Sequence, residues 1–193
     1  MYNLVTRSKT ALFALVATVG FLFSSSALAV KPSERFTIKD LAIAVNAGEV
    51  DPALTGEFST LIAALVETGL DVPLDGNGRF TVFAPTDQAF LDTLGLDANG
   101  ITMLINSGPE ARALVSNILL YHVARGERFS GDVLDSDRIR MLNRDFTFPT
   151  ASGPMGTPAV EDNNGEFAEL ELSLIDLGTD NGVVHVIKRV LIP

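Results

Sequence analysis

Two histidines, His122 and His185, are the only side chains in the 193 residues that titrate near neutral pH, and there is no cysteine. General acid or base chemistry would have to run through one of them, or through a pair of the 24 Asp and Glu residues. A nucleophile is hard to place. The chain has no cysteine thiolate and no Gly-x-Ser-x-Gly elbow, and two histidines without a His-x-x-x-His pair make a poor zinc site unless carboxylates complete it. Asp75-Gly76-Asn77-Gly78 has calcium-like composition but lacks the spaced ligands and terminal Glu of an EF-hand loop. It also precedes a strand pattern, whereas a phosphate-cradling loop follows one. The inventory predicts no enzyme, no metal and no cofactor, and moves the reading towards a binding module.

The histidines depend on the elements that carry them. His122 lies where Leu114, Ile118 and Tyr121 form one helical stripe, with Val115 and Leu119 beside it. A histidine beside an apolar stripe is most simply a hydrogen-bonded core residue. His185 sits inside Val183-Val184-His185-Val186-Ile187, a strand pattern, and is expected to hold a buried hydrogen bond, to the segment Arg79 to Leu91 or its helix.

That segment is the clearest structural unit in the chain. Phe80, Val82 and Ala84 alternate with Thr81 and Phe83, so a strand with apolar groups on both faces is expected. Pro85 cannot extend a ladder as a donor, Thr86 can cap a following helix, and Asp87 in its first turn opposes the helix dipole. Phe90, Leu91 and Leu94 then recur at helical spacing up to Gly95.

Elsewhere, Thr37 with Asp40 suggests a capping box opening a helix that buries Leu41, Ala44 and Val45, and Phe58, Leu61, Ile62 and Leu65 predict a second helix ending near Gly69. Leu70 to Arg79 contains a turn, Asp75-Gly76-Asn77-Gly78, and Ile101 to Ile105 reads as a short apolar segment after an Asp97 to Gly100 turn. Pro109 suits the first position of another helix. From Gly126 onward short strands dominate: Arg138 to Leu142, Phe146 to Phe148, an alternating Glu169 to Leu174, and the apolar end of the chain. Pro149 to Pro158 reads as an exposed loop, and Asn163-Asn164-Gly165 and Asn181-Gly182 as hairpin turns, with Asn181 and Gly182 both expected at positive φ. Helices early and strands late give an α+β class.

At the start, Arg7 and Lys9, an uncharged apolar run from Ala11 to Phe23, and Ala27-Leu28-Ala29 form the three parts of a secretory signal peptide over residues 1–29, with a short leader at 30–35. The run is too short for a membrane span. No transmembrane segment is expected in the secreted chain, which is long enough for one domain with its own core. The net charge of −10 at pH 7 becomes more negative without Arg7 and Lys9, which disfavours nucleic acid and anionic membranes as partners.

Three segments in register carry a family resemblance. Thr81-Val82-Phe83-Ala84-Pro85-Thr86-Asp87-Gln88-Ala89-Phe90 resembles the first signature of fasciclin domains, Tyr121-His122 their central tyrosine-histidine motif, and Asn181-Gly182-Val183-Val184-His185-Val186-Ile187 with Val190-Leu191-Ile192-Pro193 their second signature. The resemblance covers Phe36 to Pro193 and places a fasciclin domain at residues 36–193. It implies an α+β fold, a β-sandwich or wedge of short strands flanked by several helices. It also implies a secreted protein, extracellular, surface-associated or periplasmic, that adheres non-covalently to a surface or matrix protein or a polysaccharide. The alternative kept open is a small-ligand-binding or polysaccharide-modifying factor using acidic residues. In animal relatives an Asp-Ile pair and the tyrosine-histidine motif are implicated in binding, and Asp176-Leu177 stands at the equivalent place here, with leucine replacing isoleucine. The resemblance thus marks Asp176, Leu177, Tyr121 and His122 as candidate binding residues, and Phe83, Pro85, Thr86, Asp87, Phe90, Asn181, Gly182 and His185 as structural ones. The neighbours Leu119, Leu120 and Val123 leave a purely structural role open for Tyr121 and His122.

Overall fold

A computed structural model describes residues 37–49, 56–74 and 78–193. The expected signal peptide and leader lie outside the described residues, as does most of the Asp75 to Gly78 turn. Among the described residues no helix is long and apolar enough to cross a membrane.

The chain opens with helices α1 (Ile38–Asn46), α2 (Ser59–Thr68) and α3 (Asp71–Leu74), then strand β1 (Phe80–Pro85). Helices α4 (Asp87–Leu94), α5 (Ala98–Asn106) and α6 (Pro109–Leu120) follow, then β2 (Val123–Arg125) and α7 (Ser130–Leu134). The last third holds β3 (Ile139–Arg140), β4 (Phe146–Thr150), β5 (Ala159–Glu161), β6 (Phe167–Glu169), a 3-10 turn (Leu172–Leu174), β7 (Leu177–Thr179) and β8 (Gly182–Ile187). The strands form two four-stranded sheets, in the orders β2-β1-β8-β7 and β3-β4-β5-β6. This is the α+β wedge the resemblance implies.

Strand β1 is the keel. It pairs parallel to β8 over its whole length, Phe80 opposite Gly182 through Pro85 opposite Ile187, so segments a hundred residues apart in sequence lie side by side. The period of two splits its side chains between two cores. Phe80, Val82 and Ala84 join Leu41, Leu61, Phe90 and Ile101 in a cluster under the helices, while Phe83 joins Tyr121, Ile139, Val160 and Ile187 between the sheets. Each fully buried large side chain of this kind contributes about 1.5–3 kcal/mol of hydrophobic stabilisation. Beneath α1 and α2 the packing leaves an apolar cavity of about 40 Å³ between Leu41, Phe58, Val82 and Val184.

The local signals around β1 are realised. The Thr86 hydroxyl accepts from the Ala89 amide, and the Asp87 carboxylate reaches back to accept from the Thr60 amide at 2.8 Å, tying α4 to α2. Thr37 and Asp40 form the full capping box of α1. Pro109 occupies the start of α6.

Other expectations are corrected. Ile101 to Ile105 is part of a nine-residue helix, α5, because Asp97 accepts from the Gly100 amide and caps it. Glu169 to Leu174 is not one strand: Leu170 bridges to Ile187, the Glu171 amide donates to Val186, and the backbone then turns into the 3-10 segment. Leu114, expected on the buried stripe of α6, is exposed, and Val115, Ile118 and Leu119 take the inner face. Of the Asn181-Gly182 pair only Gly182 has positive φ (155°). Its need for glycine is steric, since a Cβ there would lie 2.0 Å from the Phe80 carbonyl oxygen. Asn181 acts through its side chain, which accepts from the Ile38 amide at 2.9 Å and donates to the Leu74 carbonyl, joining the β7–β8 turn to α1 and α3.

Candidate functional site

The two halves of the candidate binding set lie in different environments. Tyr121 closes α6 and is fully buried between the sheets. Its hydroxyl donates to the Phe146 carbonyl at 2.7 Å and accepts from the Asn163 amide at 3.1 Å, joining β4 to the β5–β6 turn. Burial, with the charges of Asp162 and Asp145, pushes its pKa up to about 12 against the opposing Asn163 amide.

His122 follows, with only 3 % of its surface exposed. Nε2 accepts from the Leu191 amide at 2.9 Å, so Nδ1 carries the proton and donates to the Ile118 carbonyl at 2.7 Å. Burial brings its pKa down to about 4, overcoming the upward influence of Ile118 and Asp162. Tyrosine and histidine thus spend their polar atoms on backbone, stapling α6, the second sheet and the C-terminal segment together.

His185 shows the mirror-image tautomer. Nδ1 accepts from the Asp176 amide at 3.3 Å, so Nε2–H donates to the Arg128 carbonyl at 2.9 Å. The expected buried hydrogen bond exists, but its partners are the loop before α7 and the Asp176 backbone. The first signature contributes a ring contact instead, Phe83 stacking at 5.7 Å between centroids. Burial lowers the His185 pKa, opposed by the Arg128 carbonyl and the Asp176 charge. The ring is therefore neutral at pH 7, and the 3.8 Å approach of Nδ1 to the Asp176 carboxylate is not an ion pair there.

Asp176 is the exposed end of this chain of contacts. Its backbone is left-handed (φ 59°), one of two non-glycine residues with positive φ among the described residues. Aspartate tolerates this region better than most residues. The twist points the amide at His185 and the carboxylate at Ser130, whose amide and hydroxyl both donate to it at 2.6 Å. Phe129, at the cap position of α7, has no side-chain oxygen to offer, and Asp176 supplies one from across the molecule. The carboxylate side chain keeps about a third of its surface in solvent. Leu177 is half-buried, Gly178 is exposed, and Phe129 is 49 % exposed. Leu177 turns to the helix-side core, where it packs beside Val184 and lines the apolar cavity, so the accessible corner pairs the Asp176 carboxylate with the Phe129 ring. Tyr121 and His122 are not part of it.

Sequence reasoning missed Phe129 and Ser130 at this corner, and it missed Asp162. That buried aspartate accepts from the amides of Asn164 (2.8 Å), Glu166 (3.1 Å) and Ile192 (3.1 Å), fastening the C-terminal segment to the second sheet. Its place just before Asn163-Asn164-Gly165, where an Asx turn begins, was the available signal. Among the described residues no group of three or more His, Cys, Asp or Glu side chains is placed to hold a metal ion.

A wedge of two short sheets under a helical cap, with the tyrosine-histidine pair at its hinge, is the architecture of the fasciclin domain. The fasciclin domain family model matches residues 56–193, and the chain belongs to that family. It is 29 % identical to protein sll1483 of Synechocystis sp. over 93 % of this chain and 94 % of that protein. It is 33 % identical to transforming growth factor-beta-induced protein ig-h3 of Sus scrofa over 76 % of this chain, and spans 19 % of that protein. A solved FAS1 domain pair from the insect cell adhesion molecule fasciclin I superposes with a TM-score of 0.52 at 18 % identity. That match covers 81 % of this chain and 51 % of the pair, and shows the shared fold.

Proposed function

We propose that this protein is a secreted or surface-associated adhesion module that holds another surface component, protein or polysaccharide, by non-covalent contact. The observation that carries the reading is the family: fasciclin domains are adhesion modules, and a fold neighbour belongs to an insect cell adhesion molecule. Export is supported by the charged, apolar and small-residue segments of residues 1–29. The contact surface is the corner of Asp176 and Phe129, which offers a carboxylate beside exposed aromatic area, while Leu177 braces it from the core side. Tyr121 and His122 spend their polar atoms on backbone away from that corner and meet no partner.

A polysaccharide-modifying role that ran through a histidine would need an imidazole open to substrate. Both histidines are withdrawn into backbone hydrogen bonds, and the cavity under α1 is apolar and far below the roughly 300 Å³ of a small-ligand cleft. The test is retention of surface extracts and arrayed glycans by the immobilised protein, compared with Asp176→Asn and Phe129→Ser. A specific retained component lost in both variants supports the reading. Equal retention by all three forms removes the Asp176 corner, and no retention at high protein density removes adhesion.

A further inference from the structure

A second concave surface lies on the side of the molecule formed by β6, the end of β8 and the loop between β4 and β5. The groove has a volume of about 360 Å³, within the range of small-ligand clefts, and is open to solvent. None of its lining residues contacts Asp176 or His185 through the hydrogen bonds that build the Asp176 corner. We propose that this groove binds one or two hexosyl units of a neutral polysaccharide. The proposal rests on the adhesion reading and gives it a ligand class.

The lining separates into an apolar platform and a polar edge. Phe167 lies half-buried on β6, Pro154 comes from the loop, and Met155 stands beside them with 79 % of its surface exposed. A pyranose ring has an apolar face of C–H groups that lies flat on such a platform, and an equatorial belt of hydroxyls that needs both donors and acceptors. Both are present. Asp92 and Glu169 bring carboxylate acceptors, and Lys188 brings an ammonium donor.

The charges exclude other ligands. Arg189 is already paired with Glu166 at 3.5 Å, and Lys188 with Glu171 at 3.1 Å. The cations are therefore largely neutralised, while Asp92 keeps a carboxylate whose recorded partner is the Gln88 amide. Phosphate, sulfate and uronate groups would meet three carboxylates, those of Asp92, Glu166 and Glu169. Neutral hydroxyls can donate to the same carboxylates in charge-assisted hydrogen bonds. The placement of Phe167 is rigid, because Val160 pairs with Ala168 and Glu161 with Phe167 across β5 and β6, and the Lys188 amide donates to the Glu169 carbonyl at 3.0 Å. A platform fixed by two strands orients a sugar at little entropic cost.

The experiment is an amide-resolved NMR titration of the purified protein with laminarihexaose and cellohexaose, with hexagalacturonate and hexalysine as the charged probes. At least one neutral glucan is expected to shift the amides of Phe167, Glu169 and Lys188. Glu169→Gln and Asp92→Asn should each weaken it about tenfold, the loss of one hydrogen bond to a charged group. Phe167→Leu keeps an apolar side chain at this half-buried position and removes the ring, and is expected to weaken binding while the protein stays folded. Three outcomes overturn the proposal: no shift with either glucan at millimolar concentration, shifts away from β6 that Phe167→Leu leaves intact, or tighter binding of hexagalacturonate or hexalysine at this groove. If no glucan shifts the groove amides while the wild type still retains a surface component through the Asp176 corner in the pull-down, the adhesion reading stands and the sugar groove falls.

Discussion

The amide of Asp176 donates to Nδ1 of His185, so the half-exposed acid of the candidate site is fixed by one of the most buried side chains in the fold. This contact couples the left-handed turn at Asp176 to the core strand β8 and, through the Arg128 carbonyl, to the loop that starts α7. Replacing His185 by leucine keeps apolar volume but leaves that carbonyl and that amide without their partner. Unmade buried hydrogen bonds cost about 1–3 kcal/mol each. His185→Leu is expected to lower the urea midpoint by an amount equal to at least ~2 kcal/mol, and an unchanged midpoint would remove His185 from the structural account.

Asp176 itself separates stability from binding. Asp176→Ala loses two charge-assisted bonds to Ser130 and places alanine at positive φ, both unfavourable. Asp176→Asn keeps an acceptor and a residue tolerant of that backbone. Thermal denaturation should rank wild type above Asp176→Asn and Asp176→Asn above Asp176→Ala, with the larger step about 1–2 kcal/mol after allowance for the carboxylate's partial exposure. Equal melting of all three forms would mean that the Ser130 contacts contribute nothing to α7.

Acid should destabilise the fold through both histidines. Each has a folded pKa lowered by burial, that of His122 to about 4. The unfolded chain therefore takes up protons first, near pH 6.5. The stability these neutral rings contribute is complete above that pH and is lost as the pH falls from about 6.5 through about 4. For His122 alone the loss by pH 5 is roughly 2 kcal/mol. Reduced self-repulsion of a net −10 chain would act in the opposite direction over the same range, so the sign is diagnostic. Urea midpoints at pH 7.5 and pH 5 are expected to fall with acid, and a rise would contradict the assignment of neutral, backbone-bound histidines.

Two glycines of the last hairpin make a matched pair. A Cβ on Gly182 would collide with the Phe80 carbonyl at 2.0 Å, whereas a Cβ on Gly178 would meet no atom within 4 Å. Gly182→Ala is expected to break the parallel pairing of β1 and β8 and to cost more than ~3 kcal/mol, seen as insoluble expression or a collapsed melting temperature. Gly178→Ala should be within about 0.5 kcal/mol of wild type. Equal behaviour of the two variants would contradict the close approach of the strands.

Tyr121→Phe removes only a hydroxyl, yet leaves the Phe146 carbonyl and the Asn163 amide unsatisfied inside the protein. A loss of about 1–3 kcal/mol by chemical denaturation is expected, with retention of any surface partner unchanged at a temperature where the variant is folded. A folded variant that lost its partner would make Tyr121 a contact residue.

What could be read from the sequence follows from how local each cause is. The strand at Phe80 to Pro85 and its Thr86 cap were legible because alternation and capping act within a few residues, and the signatures carried the family. α5 was hidden because Ala98, Asn99 and Gly100 look like a turn until the Asp97 cap is seen to use the Gly100 amide. The Glu169 to Leu174 alternation misled because Leu170 is drawn to Ile187, a partner that no local pattern announces. The Asp176 corner was half legible. The acid is in register with the family motif, but Ser130 lies 46 residues earlier and only folding brings it there.

The central claim, that the accessible Asp176 corner makes the adhesive contact while Tyr121 and His122 only hold the core together, meets its most direct test in one pull-down series. Surface extract would be passed over immobilised wild type, Asp176→Asn, Phe129→Ser and Tyr121→Phe, each verified as folded by its amide spectrum. Loss of the retained component with Asp176→Asn and Phe129→Ser, but not with Tyr121→Phe, is the result this account predicts. Retention by the two corner variants together with loss in Tyr121→Phe would contradict it.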